Sequence, residues 1–346
     1  MQYRPLGRTG LKVSNIGLGT MTWGQQNTQD EGHAQMDYAL GHGINFLDAA
    51  EMYPVPGRAE TQGETERIIG NWFKARKNRD QVILATKVCG RSAMGWCREA
   101  GGQTRLVPEQ IDEAVEKSLK RLQTDYIDLY QLHWPDRKLR LFGGHGYVDY
   151  PQDFTPFEVI LEALDRHVQK GNIRHIGVSN ETAWGVMRYL EESQARGLPR
   201  IASIQNAYNL VNRTFEIGLA EIALREDVGL LAYSPLGQGT MTGKYLGGKR
   251  PAGARGTLFD MIGRYQGPGA QEAIAACVDC ARDHGLSPVQ LALKFCDTRP
   301  FVTSTLIGAT TTAQLEADIA AFDIPWTDDL ESAVNALNAA HRSPCP

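Results

Sequence analysis

Long apolar runs are missing from this sequence of 346 residues. No run could cross a bilayer, and the N-terminal stretch MQYRPLGRTG lacks the apolar core of a signal peptide. An excess of one charge is also missing, since 36 basic and 40 acidic residues leave a formal net charge of −4. We therefore expect neither nucleic acid nor membrane as a partner. Cysteine is scarce, and six scattered residues in so long a chain are typical of reduced thiols. These absences predict a soluble, cytoplasmic globular protein.

Two binding motifs are missing as well. The stretch GLGTMT at residues 17–22 has no third glycine and opens no clear helix, so it is not a dinucleotide fingerprint. Cys277 and Cys280 form a C-x-x-C pair, but they lie in a helical pattern with no second pair nearby. We therefore predict that these thiols pack in a helix, and we predict no metal site.

What the sequence does contain is an alternation of short apolar runs and amphipathic stretches, which predicts parallel strands joined by helices. The stretch YRPLGRTGLKV, with a turn at residues 7–10, predicts an N-terminal β-hairpin. Helical patterns include residues 108–122, 156–171 and 288–295. The runs that predict barrel strands are residues 16–20, 44–48, 82–87, 126–132, 174–179, 202–206, 230–234 and 304–308. Eight strand–helix units predict one α/β domain over residues 1–346, a (β/α)8 TIM barrel, because an open doubly wound sheet would usually carry the missing fingerprint.

Two of the connections that follow strands are long, at residues 88–107 and 135–154. Long loops in a compact domain are usually functional. In a barrel, the loops after the strands surround the active site, so we expect these two loops to shape a binding site.

Ionisable residues end three consecutive predicted strands. Asp48 ends INFLD, Lys87 ends VILATK, and His133 follows YIDLYQL, while Tyr53 begins the loop after the first of these strands. Taken singly, each has an ordinary explanation: a helix cap, a surface lysine, an interior histidine and a packed tyrosine. The C-terminal ends of barrel strands meet at one mouth, however, so we expect all four side chains at one site.

These four residues suit the proton-coupled reduction of a carbonyl. A phenol, with its ordinary pKa of about 10, is a poor acid at neutral pH unless a nearby cation favours its ionised form, and Lys87 would be that cation. Asp48 would hold the ammonium group. His133 would donate a hydrogen bond to the substrate oxygen, and Tyr53 would supply the proton. The hydride must come from elsewhere, which implies a nicotinamide cofactor.

The motifs FLDAAEMY, ATK and LHWP resemble those of the aldo-keto reductase superfamily, and the similarity runs from LGRTGLKVSNIGLGTM to LIGATTTAQL. The Tas-like branch is the most similar, through AEMYPVP and GVSNETAWGVMRYL. The resemblance implies a (β/α)8 barrel with an N-terminal hairpin. It also implies that Asp48, Tyr53, Lys87 and His133 form a catalytic tetrad, with Tyr53 as the acid–base group.

Small and amide-bearing residues end the later predicted strands, in GVSN, IQN and YSPLGQG. Ordinary turn chemistry would explain any one of them, such as Gly177. Together they offer donors and acceptors for a carboxamide, a flat tyrosine face for a nicotinamide ring, and glycines that let the backbone approach a pyrophosphate. The resemblance implies the same roles. The residues predicted to bind cofactor at the strand ends are Gly19, Thr20, Met21, Asp48, Ser179, Asn180, Gln205, Tyr233, Ser234, Leu236, Gly237 and Gly239.

A basic stretch follows, because residues 237–259 contain Lys244, Lys249, Arg250 and Arg255 and no acidic residue. A solvated surface loop is one explanation. We favour phosphate binding by Lys244 and Arg255, including binding of an adenosine 2′-phosphate. This interpretation predicts NADP(H) rather than NAD(H) as the cofactor.

The stretch GATTTAQLEADI at residues 308–319 resembles the adenosine-binding segment of the family. The sequence departs from its relatives at Ala317, where glutamate is common, and at Asp318, where asparagine is common. A carboxylate at this position could accept a hydrogen bond from an adenine amine, but its charge would disfavour a nearby 2′-phosphate. The residues that the resemblance implicates are Gly308, Thr310, Gln314 and Asp318.

Aromatic residues near the predicted opening, including those of residues 141–154, suit an aldehyde or ketone with aromatic or aliphatic bulk. Three arginines of the preceding loop, Arg91, Arg98 and Arg105, could instead bind a carboxylate or phosphate, although our preferred interpretation is that they are solvated. The residues predicted to contact substrate are Trp23, Tyr53 and Trp134.

Three functions are compatible with these observations. The preferred one is an NADPH-dependent reductase of a small-molecule carbonyl substrate. The second is a regulatory subunit that binds the same cofactor, as the potassium-channel β subunits of the superfamily do. The third is a barrel aldolase that forms a Schiff base at Lys87 and needs no cofactor. The sequence does not indicate an oligomeric state.

Overall fold

Eight parallel strands close into a barrel in the computed structural model, which describes residues 1–143 and 146–346. Within these residues two further strands form an antiparallel N-terminal hairpin. The hairpin strands are β1 (Tyr3–Pro5) and β2 (Lys12–Ser14). The barrel strands are β3 (Ile16–Gly19), β4 (Phe46–Asp48), β5 (Ile83–Val88), β6 (Ile127–Leu132), β7 (Ile173–Ser179), β8 (Ile201–Ala207), β9 (Gly229–Tyr233) and β10 (Val302–Ile307). Each barrel strand pairs with the next along the chain, and β10 closes the ring on β3.

Helices alternate with the barrel strands. In the same described residues they are α1 (Gln29–Gly41), α2 (Glu64–Arg76), α3 (Pro108–Leu122), α4 (Phe157–Gln169), α5 (Ala183–Arg196), α6 (Leu219–Arg225), α7 (Arg255–Leu258), α8 (Ala270–Asp283), α9 (Pro288–Asp297), α10 (Thr312–Ala320) and α11 (Asp328–Ala340). The predicted TIM barrel with an N-terminal hairpin is confirmed. Each of the eight predicted strands overlaps an observed one.

Local sequence explains why helices begin where they do. Pro108 occupies the first turn of α3, where a missing N–H costs nothing. Ser287 caps α9 in a reciprocal capping box with Gln290, which satisfies two otherwise unpaired donors. The three helical patterns taken from the sequence correspond to α3, α4 and α9, with boundaries that differ by no more than two residues.

The hairpin lies against the N-terminal end of the barrel. Gly7, in its turn, approaches the carbonyl oxygens of Ala202 and Asp227, near the starts of β8 and β9. Leu6 and Val13 are fully buried and belong to the same apolar cluster as inward-facing barrel residues such as Phe46. This end of the barrel is therefore filled by side chains, and the C-terminal end is the one that carries the cavity described below.

A larger apolar cluster fills the space between the strands and the surrounding helices, as in Val115 of α3 and Leu161 of α4. No helix in residues 1–143 and 146–346 combines the length and the apolar character needed to span a membrane. The same residues contain no group of three or more His, Cys, Asp or Glu side chains placed to hold a metal ion.

Candidate active site at the C-terminal end of the barrel

A buried ion pair joins the ends of β4 and β5. Lys87 donates from Nζ to Asp48 Oδ2 at 2.6 Å and to the Ala49 carbonyl oxygen at 2.7 Å. The other carboxylate oxygen, Asp48 Oδ1, accepts from Gln205 Nε2 at 2.8 Å and from Gln131 Nε2 at 3.1 Å. Burial lowers the pKa of Lys87, and the adjacent Asp48 opposes that effect. The amide donors help to compensate a carboxylate that has been removed from water.

Tyr53 lies over this ion pair. Its ring centroid is 5.0 Å from Lys87 Nζ and 5.7 Å from the ring centroid of His133, which it meets edge-on. Burial raises the pKa of Tyr53 well above its usual value, and the negative charge of Asp48 raises it further. That Lys87 favours the ionised phenol stays a prediction, but the net direction of the Tyr53 pKa is upward, so burial and Asp48 outweigh any such effect. The lysine charge is compensated by Asp48, so the cost of burying a phenolate decides the direction.

His133 follows β6 and is held by its backbone, which donates to the Val88 carbonyl oxygen at 2.9 Å. Burial lowers the pKa of its imidazole well below the usual value, and Lys87 adds to the effect. The ring is therefore neutral at neutral pH. Within the part of the chain that the structure describes, its buried Nδ1 has no hydrogen-bond partner. Its ring borders the cavity beside Tyr53.

A cavity of about 1450 Å³ opens at this end of the barrel and extends to α10. Tyr53, His133 and Trp134 line it, whereas Lys87 lies beneath its wall and is fully buried. All the residues predicted to bind cofactor line this cavity except Gly237. The structure thus brings together residues from β3, β4, β7, β8, β9, β10 and α10 around one space.

Besides Lys87, two predicted site residues do not reach this cavity. Trp23 is fully buried and donates from Nε1 to Gln35 Oε1 at 3.0 Å, so the prediction that it contacts substrate is wrong. Its large apolar ring packs between α1 and α2 instead. Gly237 is also buried, with φ of +53°, and a Cβ there would lie 2.8 Å from Thr240 Oγ1. The glycine serves a tight turn and does not border the cavity.

The polar groups at the ends of β7 and β9 are bonded to one another. Ser179 donates from Oγ to the Gln205 carbonyl oxygen at 2.7 Å. Asn180 donates to the His133 carbonyl oxygen at 2.9 Å and accepts from the Tyr233 hydroxyl at 2.6 Å. Asn180 adopts φ of +52°, a left-handed conformation that asparagine tolerates better than most residues. These bonds fix the Tyr233 ring on the cavity wall.

The basic stretch divides into two pairs. Lys244 and Arg255 line the cavity and form no ion pair with any carboxylate in the described residues. Burial lowers the pKa of each, and Arg255 also lowers that of Lys244. Arg250 instead binds Asp260 at 2.9 Å, and Lys249 is exposed. Two cations that have lost part of their hydration without gaining a carboxylate are suited to an anionic ligand.

Asp318, on α10, is a buried carboxylate in the cavity wall. It forms no ion pair in the described residues, and burial raises its pKa to about 7. A native pKa above the unfolded value of 3.8 means that the native state keeps a proton that the unfolded state loses, so stability falls as pH rises from about 4 to about 7.

We expect the substitution Asp318→Asn to remove this pH dependence. Between about pH 4 and pH 7, the free energy of unfolding of the variant should rise relative to that of wild type by about 1.4 kcal/mol for each pH unit. Urea unfolding of both proteins at pH 5 and pH 8 measures it. Groups that titrate alike in both proteins cancel when the variant is compared with wild type. A free-energy difference that does not change with pH would contradict the raised pKa of Asp318.

The three arginines of the loop at residues 88–107 are not solvated, contrary to our preferred interpretation. Arg98 is buried and pairs with Glu51 at 2.7 Å, and Arg105 pairs with Asp136 at 2.8 Å. Arg91 lines the cavity, but it donates to Asp153 Oδ2 at 2.8 Å. Asp136 lies 31 residues from Arg105 along the chain, and Glu51 lies 47 residues from Arg98. The sequence alone does not reveal pairings over such separations.

The same loop is tied across its base. Ser92 and Thr104 exchange backbone hydrogen bonds of 3.1 and 2.9 Å, and their hydroxyl groups lie 2.7 Å apart. Thr104 Oγ1 also donates to the Gly90 carbonyl oxygen. With the Glu51–Arg98 pair, these bonds fix one side of the cavity.

The barrel, its hairpin and the residues at its C-terminal mouth define an aldo/keto reductase. The model of the Aldo/keto reductase family matches residues 15–339, so the chain belongs to that family. Within it the chain falls on the Tas-like branch. Protein tas of Escherichia coli (strain K12) is 50% identical over 349 residues, which cover 100% of both chains.

Other relatives divide between enzymes and a channel subunit. The uncharacterized oxidoreductase YrpG of Bacillus subtilis is 33% identical over 97% of this chain and 96% of its own. A probable voltage-gated potassium channel subunit beta of Arabidopsis thaliana is 28% identical over 94% of this chain and 92% of its own. The family and its oxidoreductase members support an oxidoreductase that uses a nicotinamide cofactor.

Proposed function

We propose that this protein is an NADPH-dependent oxidoreductase that reduces an aldehyde or ketone to an alcohol. The observation that carries the proposal is one cavity lined both by a proton donor and by cations that have no carboxylate partner in the described residues. Tyr53, His133, Lys244 and Arg255 all line this cavity. A substrate oxygen that gains negative charge needs the proton donor, and the phosphates of a dinucleotide need the cations.

The residues of the cavity fit a nicotinamide dinucleotide. Ser179, Asn180 and Tyr233 would hold the nicotinamide end, where amide and hydroxyl groups surround a flat aromatic face. Lys244 and Arg255 would bind phosphates, since neither cation has a carboxylate partner in the described residues. Gly308, Thr310 and Gln314 would border the adenosine. The bound cofactor supplies the hydride.

The side chains around Tyr53 then handle the proton. The raised pKa keeps the Tyr53 hydroxyl protonated at neutral pH, so it is ready to donate as charge develops on the substrate oxygen. Lys87, with Nζ 5.0 Å from the Tyr53 ring centroid, stabilises the phenolate that remains, and Asp48 keeps the ammonium in place. His133 is neutral, and we assign its proton to Nε2, from which it donates a hydrogen bond to the same oxygen.

The basic residues offer a test of the cofactor. Replacing both Lys244 and Arg255 by methionine should weaken NADPH binding about tenfold to a hundredfold and change NADH binding much less, because a 2′-phosphate loses charge-assisted hydrogen bonds. Equilibrium titration of both cofactors by fluorescence measures this. Lys249→Met is the matched control, since Lys249 belongs to the same basic stretch but does not line the cavity. Equal weakening of both cofactors, or tighter NADH than NADPH binding by wild type, would contradict the NADPH assignment.

Turnover tests the function itself. Purified protein should oxidise NADPH when supplied with a panel of simple aromatic and aliphatic aldehydes and ketones. Cofactor binding without turnover of any carbonyl would favour the alternative of a regulatory subunit, which the similarity to a probable channel β subunit keeps in consideration. The aldolase hypothesis has less support, because Lys87 is fully buried and bonded to Asp48.

A further inference from the structure

We propose that Arg264 binds a carboxylate group of the substrate, so that the preferred substrates are carbonyl compounds that also carry a carboxylate. The proposal rests on the proposed reductase function and names the substrate class for the same site. Arg264 lies between α7 and α8, is half-buried and lines the cavity. No role was assigned to it from the sequence.

Contacts place Arg264 on the side of the cavity that holds the reacting residues. Its Nη1 is 3.4 Å from the Tyr233 hydroxyl, and its guanidinium carbon is 5.8 Å from the ring centroid of Phe142. The Phe142 ring meets Trp134 at 6.4 Å, and Trp134 in turn lies 4.7 Å from the His133 ring. A line of aromatic rings therefore connects the proposed proton-donating centre to this guanidinium group. Such a wall suits the apolar body of a substrate whose two ends are polar.

The charge of Arg264 has no counterpart in the described residues. It forms no ion pair with any carboxylate of residues 1–143 and 146–346, and its neighbours there are the tyrosine hydroxyl groups of Tyr233, at 3.4 Å, and Tyr265. Neither remaining residue, a glycine and a histidine, carries a carboxylate. Arg91, in the same cavity, differs because it is bonded to Asp153. A guanidinium group presents a planar fork that matches a carboxylate, and partial burial strengthens the attraction.

The acidic residues in the described part of the cavity wall do not oppose the binding of a substrate carboxylate at Arg264. They are Asp48 and Asp318. Asp48 is bonded to Lys87, and Asp318 lies on α10, next to the segment assigned to adenosine. In the proposed function Lys244 and Arg255 bind the 2′-phosphate, and the backbone at Gly239 approaches the diphosphate. Arg264 is thus the cavity cation that remains available for the substrate.

A matched pair of aldehydes tests the proposal. The substrates are 4-carboxybenzaldehyde and its methyl ester, which share the reacting group and the ring but differ in charge. With NADPH, wild type should show kcat/KM at least about tenfold higher for the acid, as expected for a charge-assisted hydrogen bond. Arg264→Met should bring the ratio to about one through a higher KM for the acid, and Arg264→Lys should restore part of it. Arg250→Met is the control and should keep the wild-type ratio, because Arg250 does not line the cavity.

Each other outcome overturns the proposal or separates it from the reductase function. Equal kcat/KM for acid and ester in wild type, or an equal rise of KM for both in Arg264→Met, would overturn it. Weaker NADPH binding in Arg264→Met with an unchanged acid-to-ester ratio would assign the arginine to the cofactor diphosphate instead. If neither aldehyde is turned over, the proposed reductase function is contradicted. Calorimetric binding of 4-carboxybenzaldehyde to the NADPH-loaded protein then tests whether Arg264 binds a carboxylate. Binding that is weakened by Arg264→Met supports the carboxylate site, and binding that is absent or unaffected rejects it.

Discussion

Replacing Tyr53 by phenylalanine should lower kcat/KM for carbonyl reduction by about 10²- to 10⁴-fold while the protein stays folded and binds NADPH with wild-type affinity. The hydroxyl group is the proposed proton donor, and the raised pKa means that wild type holds this proton throughout the neutral range. The substitution removes one oxygen and keeps the ring that covers Lys87. The Tyr53 hydroxyl has no hydrogen bond within the described residues, so its loss should cost little stability.

Single-turnover rates with an excess of enzyme measure this effect without interference from product release. Tyr150→Phe removes the same hydroxyl group from an exposed position outside the cavity and should leave the rate unchanged. A Tyr53→Phe variant that retains more than about a tenth of the wild-type kcat/KM would assign the proton to another group, for which His133 is the nearest candidate.

Replacing Arg98 by methionine should destabilise the protein by about 3–5 kcal/mol, because it leaves a buried carboxylate without its partner. Arg98 binds both oxygens of Glu51, at 2.7 and 2.8 Å, and both side chains are only 1% exposed. Glu51 Oε1 also accepts from the backbone N–H of Cys89 at 2.7 Å, so the pair ties the loop at residues 88–107 to the ends of β4 and β5.

Urea unfolding of wild type and variant at neutral pH gives the free-energy difference. Arg67→Met is a suitable control, because Arg67 pairs with Glu64 at a similar 2.8 Å but the two side chains are 46% and 42% exposed. That substitution should cost less than about 1 kcal/mol. Combining Arg98→Met with Glu51→Met should recover much of the loss. If Arg98→Met and Arg67→Met cost the same, the buried pair does not stabilise the loop.

The barrel and the positions of Asp48, Lys87 and His133 could be predicted because they follow from chain order. Parallel strands of a barrel end at one mouth, so residues at the ends of successive strands meet there. Lys244 and Arg255 stood out for a related reason, since a cluster of basic residues in a net-acidic chain is visible without coordinates. That the whole chain forms one domain stays a prediction.

Other features depend on distances that a linear sequence does not contain. An aromatic residue after a strand can face the core or the cavity, and Trp23 faces the core. The pairing of Arg98 with Glu51 spans 47 residues, so neither partner reveals the other. Gln131 gave a usable signal, as a polar residue near the end of an apolar strand, and it was missed. From the sequence we expect Lys87 to favour the ionised phenol of Tyr53, but the raised pKa depends on burial and on the distance to Asp48, which a sequence does not contain.

The fixed loop at residues 88–107 has a consequence for ligand affinity. Its base is closed by the Ser92–Thr104 bonds and its middle is anchored by Glu51, so the backbone is ordered before any ligand arrives. A ligand that contacts this wall loses little of its binding free energy to conformational entropy. Such a preorganised surface discriminates by shape: a molecule that does not match it receives no compensation from a rearrangement of the loop.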